Sequence, residues 1–385
     1  MINMNISDSF GPNAHFFRPG VMQAQIAEVG DEILGSKIDE DYLDYIHPHW
    51  RQYKAPAAYQ HFLLGILYAF IFFMGTMGNV LVLVAFFTTK GLRTPSNLFV
   101  ANLAIFDTIM MFKLPFFVMN SVVEGQIFGK IGCDVYALAG AISGMGAAIT
   151  NSAIAFDRYR TIAFPLDGRL GMKAAIGLAA FCWVWALPFS VIPFFEIWSR
   201  YAPEGYLTTC SFDYLTEGKP TQLFTITIFV WAYIIPLLLI ALFYSKIISH
   251  VREHEKMLRE QAKRMNVKSL SQGDEKSAEI RIAKVAITIV FLFICGWTPY
   301  ALIAILGCFG DRNLMTPTFS MIPAVACKTV ACIDPWIYAI NHPRFRAEIQ
   351  KKVPWLCFFS TNPKSSNSDT KSTASDATEA KAEAA

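Results

Sequence analysis

Charge is scarce in this chain. Of its 385 residues only 16% are Asp, Glu, Lys or Arg, against about 25% in an ordinary soluble domain. Hydrophobic residues make up 54%, so a disordered or fibrous protein is excluded. The formal charge of +3 leaves no overall field of the kind that marks a nucleic-acid binder. Other absences narrow the classes further. No internal repeat of fixed period is evident, which argues against solenoids and propellers. No Gly-rich phosphate loop and no paired nucleophile and base stand out, and His47-Pro48-His49 has no third metal ligand nearby. Residues 1–56 lack an apolar core of about 7 to 15 residues. No cleavable signal peptide is therefore expected, and the first apolar block is expected to act as the insertion signal.

What is present is long apolar runs. Seven of them lie near residues 57–87, 96–119, 132–156, 172–195, 221–247, 281–308 and 317–340. A helix rising about 1.5 Å per residue needs about 20 apolar residues to cross roughly 30 Å of hydrocarbon. The connections between blocks are polar and carry turn chemistry, as in Lys90-Gly91-Leu92-Arg93-Thr94-Pro95 and Phe309-Gly310-Asp311-Arg312-Asn313. Pro188, Pro193, Pro236, Pro299 and Pro335 lie inside the blocks, where lipid-embedded helices tolerate proline when neighbours satisfy the freed backbone groups. The expected fold is an all-α membrane protein, a seven-transmembrane helix bundle followed by a short amphipathic helix.

Orientation follows from the basic residues, which are retained on the cytoplasmic side. On and beside the connections after the first, third and fifth blocks, and in the C-terminal tail, lie 23 of the 33 Lys and Arg. The other side holds 8, and Lys113 and Lys328 fall within the membrane. The N-terminus is thus expected outside and the C-terminus inside. The organisation reads as an extracellular segment (1–56), the bundle with its loops (57–341), a membrane-lying amphipathic helix (342–356) and a cytoplasmic tail of disordered composition (357–385). Cys133 and Cys210 fall on the oxidising side, where a disulfide persists. Cys357, just past a basic and apolar stretch, is a palmitoylation candidate, and Asn5-Ile6-Ser7 is a glycosylation candidate.

Local motifs carry a resemblance. Gly78-Asn79, Asn102-Leu103-Ala104 with Asp107, Asp157-Arg158-Tyr159, Trp297-Thr298-Pro299-Tyr300 and Asp334-Pro335-Trp336-Ile337-Tyr338 resemble, in order and placement, the motifs of rhodopsin-like G-protein-coupled receptors. Each is weak alone and together they are strong. One departure is Asp334, where most of that family has asparagine. Its neighbour in that fold is Asp107, so with Asn79 the pair forms an intramembrane polar site in which one carboxyl is protonated or both share a cation. An alternative is that Asp334 only caps the proline-distorted turn.

Lys328 selects among receptors. It lies about 11 residues, roughly 16 Å, inside the outer end of its span, where a lysine costs about 2.5–3.5 kcal/mol and is presumed functional. A desolvated amine is a nucleophile toward an aldehyde. Ala326-Cys327-Lys328, followed by Asp334-Pro335, resembles the retinal attachment site of opsins, which implies a Schiff base to 11-cis retinal or 3-hydroxyretinal at Lys328. The same resemblance places Trp297 and Tyr300 in the retinal pocket. Tyr136 stands where vertebrate visual opsins have a glutamate counterion, and a phenol is uncharged near neutral pH. Similarity to invertebrate opsins therefore assigns the counterion role to Glu204, with Tyr136 as the other candidate and an exposed loop acid as the alternative reading of Glu204. Lys113-Leu114-Pro115 looks like the segment that marks arthropod ultraviolet opsins. A cation about 10 Å deep in the second span repels a second positive charge on the imine and favours the unprotonated form, which absorbs in the ultraviolet. The rest of the chain resembles blue and ultraviolet arthropod opsins about equally, so blue is the alternative colour, and snorkelling to the headgroups or pairing with Glu124 is the alternative role for Lys113.

The connection from Glu253 to Val267 pairs Glu and Lys at three- and four-residue spacing, so a helix is expected to continue out of the fifth span. It resembles arthropod visual opsins, which implies coupling to a Gq-class heterotrimeric G protein. Arg158 is then expected to pair with Asp157 in the dark, with Tyr159, Pro335 and Tyr338 serving activation. The Ser- and Thr-rich tail suits a receptor kinase and arrestin. The implied setting is the plasma membrane of photoreceptor cells, in rhabdomeric membrane. Two other functional classes share part of this pattern. A retinal photoisomerase shares Lys328 but has no need of Asp157-Arg158-Tyr159; a peptide- or amine-activated receptor keeps that motif but has no use for Lys328. Nothing in the sequence points to an enzyme.

Overall fold

The structure, a computed structural model, describes residues 32–38, 40–164, 167–264, 274–341 and 343–354. Within them the chain forms a bundle of seven long helices. The first span is Ala58–Thr88, opened by the Ala57 N–H donating to Gln60 Oε1 at 2.9 Å. A 3-10 turn at Lys90–Leu92 leads to the second span, where Thr94 Oγ1 accepts from the Asn97 N–H and Pro95 takes the first helical position. Both are ordinary helix-start chemistry. The second span does not run straight through. It is Pro95–Phe112, then a break at Lys113, then Leu114–Val123. Pro115 has no N–H to return to Met111, so the ladder opens at the lysine.

The third span, Gly129–Ala163, is the axis of the bundle, with small residues and buried polar groups along most of its length. Asn102 Nδ2 donates to Thr150 Oγ1 at 2.9 Å and Trp183 Nε1 donates to Asn102 Oδ1 at 3.0 Å, tying the second, third and fourth spans together. The fourth span is Met172–Phe194, with Pro188 and Pro193 inside it. The fifth is Lys219–Phe229, a π turn at Val230–Ile234, and Ile235–Arg264. The helix expected to continue past the membrane does so, as far as Arg264. The sixth is Asp274–Phe309 and the seventh Pro317–Asn341.

Six of these helices are long and apolar enough to cross a membrane by length and composition. The seventh is less apolar because it carries Lys328 and Asp334 as well as Pro323 and Pro335. It packs against the first and sixth spans as part of the same bundle. Large apolar side chains face outward, among them Phe62, Phe73, Val184 and Phe291, each more than 60% exposed. So much exposed apolar surface suits lipid rather than water. Inside, one core cluster gathers around Phe99, Leu103, Phe106 and Ile154, and another around Tyr68, Met111, Phe117 and Tyr201. After the seventh span, Pro343–Lys352 forms a short helix whose Phe345 and Ile349 are buried.

The end of the bundle that carries the N-terminal segment is capped twice. Residues 42–54 bury Trp50 completely, and His49 Nε2 lies 2.8 Å from the Met315 carbonyl oxygen before the seventh span. Between the fourth and fifth spans, β1 (Tyr201–Glu204) and β2 (Thr209–Phe212) pair antiparallel, with Glu204 opposite Thr209. Gly205 turns the chain at φ 63°, and a side chain there would meet Met321 at 2.7 Å. The Cys133 to Cys210 disulfide pins this hairpin to the top of the third span.

Candidate functional site

Beneath the hairpin lies an apolar-walled cavity bounded by the second, third, fifth, sixth and seventh spans. Lys328, Lys113, Glu204, Trp297 and Tyr300 all line it. Five residues spread over 216 positions of sequence thus meet at one site. Lys328 is 4% exposed, and its Nζ donates to the Ala324 carbonyl at 2.9 Å, one turn back on its own helix. The Tyr68 ring centroid is 5.7 Å from that nitrogen. Such an amine is dry, placed, and open to the cavity on one side.

Glu204 is the buried carboxylate of the site. Its Oε2 accepts from the Tyr214 hydroxyl at 2.9 Å and its Oε1 lies 3.0 Å from the Tyr300 hydroxyl. Tyr300 also lies 2.5 Å from Ser211 Oγ. A phenol has one hydrogen, so when Tyr300 donates to the carboxylate it accepts from Ser211. Burial pushes the Glu204 carboxyl above the ordinary glutamate range, while the Lys328 charge and the two tyrosine bonds pull it back down. The same burial, with the Glu204 charge added, raises the Tyr214 phenol well above its ordinary range, so it stays a donor. Nearby, burial alone would raise Asp213. The Thr216 hydroxyl and backbone N–H and the Arg200 guanidinium, whose Nε lies 3.0 Å away, outweigh it and hold that carboxyl low. This closes the base of the hairpin.

Trp297 reaches the third span. A side chain on Gly144 would come within 2.4 Å of the indole, so the glycine is the space the ring occupies. Phe293 and Tyr300 flank the same ring at centroid distances of 6.1 and 6.3 Å. Lys113 is 6% exposed, with Nζ 4.2 Å from the centroid of the Tyr136 ring. It is therefore buried beside the cavity, and Glu124, its alternative partner, instead binds Lys37 at 2.7 Å.

Toward the other end of the bundle, Asp107 and Asp334 are each 3% exposed. Asn79 Nδ2 donates to the Gly75 and Ala331 carbonyls at 3.0 Å, joining the first span to the seventh. Asp157 and Arg158 form an ion pair of 2.8 Å toward the C-terminal end of the third span. Tyr159 packs near Phe243 and has Lys246 Nζ 5.6 Å from its ring centroid. Pro335 fits against Gly78, where a side chain would come within 2.7 Å of the proline ring. The Tyr338 side chain, Asn5, Cys357 and the Ser- and Thr-rich tail lie outside the described residues.

Sequence reasoning missed Tyr214, Ser211, Gly140 and Gly144. The two glycines did carry a signal, since small residues at four-residue spacing let another side chain approach a helix closely. Tyr214 and Ser211 carried none, because only the hairpin turns them toward Glu204.

A cavity with a buried amine on one wall, a hydrogen-bonded carboxylate on the hairpin that covers it, and otherwise aromatic and small apolar side chains fits a long apolar aldehyde. Comparison with known proteins agrees with that chemistry. The 7 transmembrane receptor (rhodopsin family) description matches residues 78–338. The blue-sensitive opsin of Apis mellifera is 54% identical over 88% of this chain and 92% of its own length. The ultraviolet-sensitive opsin of the same species is 49% identical over 84% of this chain and 88% of its own length. Among solved structures, squid rhodopsin superposes with a TM-score of 0.76 at 33% identity, covering 81% of this chain and 91% of that one.

Proposed function

The chain belongs to the rhodopsin family of seven-transmembrane receptors and within it to the opsins, receptors and not enzymes; from that premise we propose that it is an ultraviolet-sensitive visual pigment signalling through a Gq-class G protein. Retinal, joined to Lys328 Nζ as a Schiff base with release of water, would supply the light absorption and the change of shape. The remaining work falls to the chain's own groups. Lys328 holds the attachment point in a dry site, and Glu204 supplies the facing carboxylate, steadied by Tyr214 and Tyr300. Trp297 and Tyr300 bound the cavity where the sixth span must respond. The disulfide and hairpin keep water out from the outer side. Either 11-cis retinal or 3-hydroxyretinal suits this wall chemistry.

The observation that carries the ultraviolet reading is Lys113, buried on the wall of the same cavity as Lys328. A second fixed cation disfavours a positive charge at the attachment point. A blue-sensitive pigment is the second reading, favoured by the higher identity to the blue-sensitive Apis mellifera opsin. Gq coupling is supported by the helix that runs on to Arg264 and by the resemblance in that connection. We place the N-terminus outside, from the basic-residue asymmetry, and the protein in rhabdomeric plasma membrane, with a receptor kinase and arrestin acting on the tail. Asn5 is the proposed glycosylation site and Cys357 the proposed palmitoylation site. Asp107, Asp334 and Asn79 form the proposed intramembrane polar site, and Asp157, Arg158, Tyr159, Pro335 and Tyr338 the proposed activation set.

An absorption spectrum after addition of 11-cis retinal tests the core of this reading. A band in the ultraviolet is expected, because the second cation disfavours the protonated imine; it should be absent in Lys328→Ala and moved to longer wavelength in Lys113→Gln. A band that survives Lys328→Ala would remove the attachment site, and one unmoved by Lys113→Gln would remove the tuning role. Light-stimulated nucleotide exchange on Gq tests the output, and its absence with retinal bound would refute the coupling.

A further inference from the structure

We propose that Gly140 and Tyr136 form a seat for the Lys113 ammonium, a recess on one side and an aromatic face on the other, and that this seat rather than the lysine alone specifies the colour. The inference rests on the reading of Lys113 as the tuning cation and goes on to say what makes a lysine there effective.

The geometry is specific. A methyl group on Gly140 would lie 2.1 Å from Lys113 Nζ, 3.3 Å from Cε and 3.7 Å from Cδ. The volume that any side chain at 140 would fill is the volume the ammonium fills. On the other side, Nζ stands 4.2 Å from the Tyr136 ring centroid, well inside the roughly 6 Å reach over which a ring face attracts a cation. Tyr136 and Gly140 are four residues apart on one helix, so they present the same face. One turn of the third span therefore supplies both halves of the seat. The break at Lys113 in the second span lies opposite, where Pro115 has opened the ladder.

Two consequences follow. Tyr136, in the position of a counterion by resemblance, has its ring committed to a cation. Also, a lysine at 113 with any side chain larger than hydrogen at 140 could not hold its charge at this depth in the cavity. Because the group displaced is the end of a flexible side chain, Gly140→Ala should move the ammonium without disrupting the helix.

The test has two arms. Without retinal, melting temperatures of the detergent-solubilised opsin are measured for Gly140→Ala, Lys113→Ala and the double variant. Coupled residues give non-additive effects, so Gly140→Ala is expected to lower the melting temperature in the parent and to have little effect once Lys113 is shortened. Additive shifts would overturn the seat. With 11-cis retinal, Gly140→Ala and Tyr136→Leu are expected to move the band to longer wavelength, in the direction of Lys113→Gln. Tyr136→Phe, which keeps the aromatic face, should leave it in place. A Gly140→Ala pigment at the parent wavelength, beside a shifted Lys113→Gln, would overturn the colour-setting role of the seat. An unshifted Lys113→Gln with thermal coupling intact would overturn the ultraviolet reading and leave the seat standing.

Discussion

Replacing Tyr214 by phenylalanine removes one hydrogen bond to Glu204 and little else, since the phenol ring is kept. The bond is 2.9 Å long and fully buried, and a hydrogen bond to a charged group contributes about 1.5–3 kcal/mol. At about 1.4 kcal/mol per tenfold, its loss should raise the proton affinity of Glu204 roughly tenfold or more. Tyr300→Phe should act in the same direction, because its bond to Oε1 is 3.0 Å. The assay is an infrared titration of the carboxyl stretch in opsin without retinal, assigned by its disappearance in Glu204→Gln. The sign extends to stability. Burial already raises the Glu204 carboxyl in the folded state, while unfolding returns it to the ordinary range. While both states are protonated the group costs nothing, and its penalty grows as pH rises from the ordinary glutamate range through the raised folded one. Melting temperature should therefore fall with pH across that window, more steeply in Tyr214→Phe and less in Glu204→Gln. A Tyr214→Phe titration that superimposes on the parent would refute the clamp.

Three further outcomes are expected. Cys133→Ser opens a crosslink between residues 77 apart, for which chain entropy gives about 4.5 kcal/mol; helical spans that persist in the denatured state make this a ceiling, and an unchanged melting temperature would refute it. Gly144→Val places atoms where the Trp297 ring lies, an overpacking that costs about 1–3 kcal/mol; reduced retinal uptake per milligram is expected, and full uptake would show that the indole has room to move. Tyr233→Phe breaks the 2.5 Å contact with Thr298 that joins the fifth and sixth spans beside Trp297, a bond contributing about 0.5–1.5 kcal/mol. Nucleotide exchange in the dark should rise by up to roughly tenfold, and an unchanged dark rate would exclude this contact as a brake.

The seven spans and the place of Lys328 inside one of them were legible in the amino-acid order because each depends on local composition. Apolar length against bilayer thickness decides a span, and a lone lysine in such a run is conspicuous without any contact being known. The disulfide was legible for the same reason, from two cysteines on the oxidising side. What tertiary structure alone decided was convergence. Glu204 reads as a loop acid until the hairpin, turned at Gly205 and pinned at Cys210, carries it under the lid to Tyr214 and Tyr300. Lys113 also reads as a lysine reaching for headgroups, until the break at Pro115 and the recess at Gly140 show where its amine rests. The physical reason is range. Transfer energies and helix periods act over a few residues and are written in the local order, whereas the field at a buried amine is set by side chains that only folding brings together.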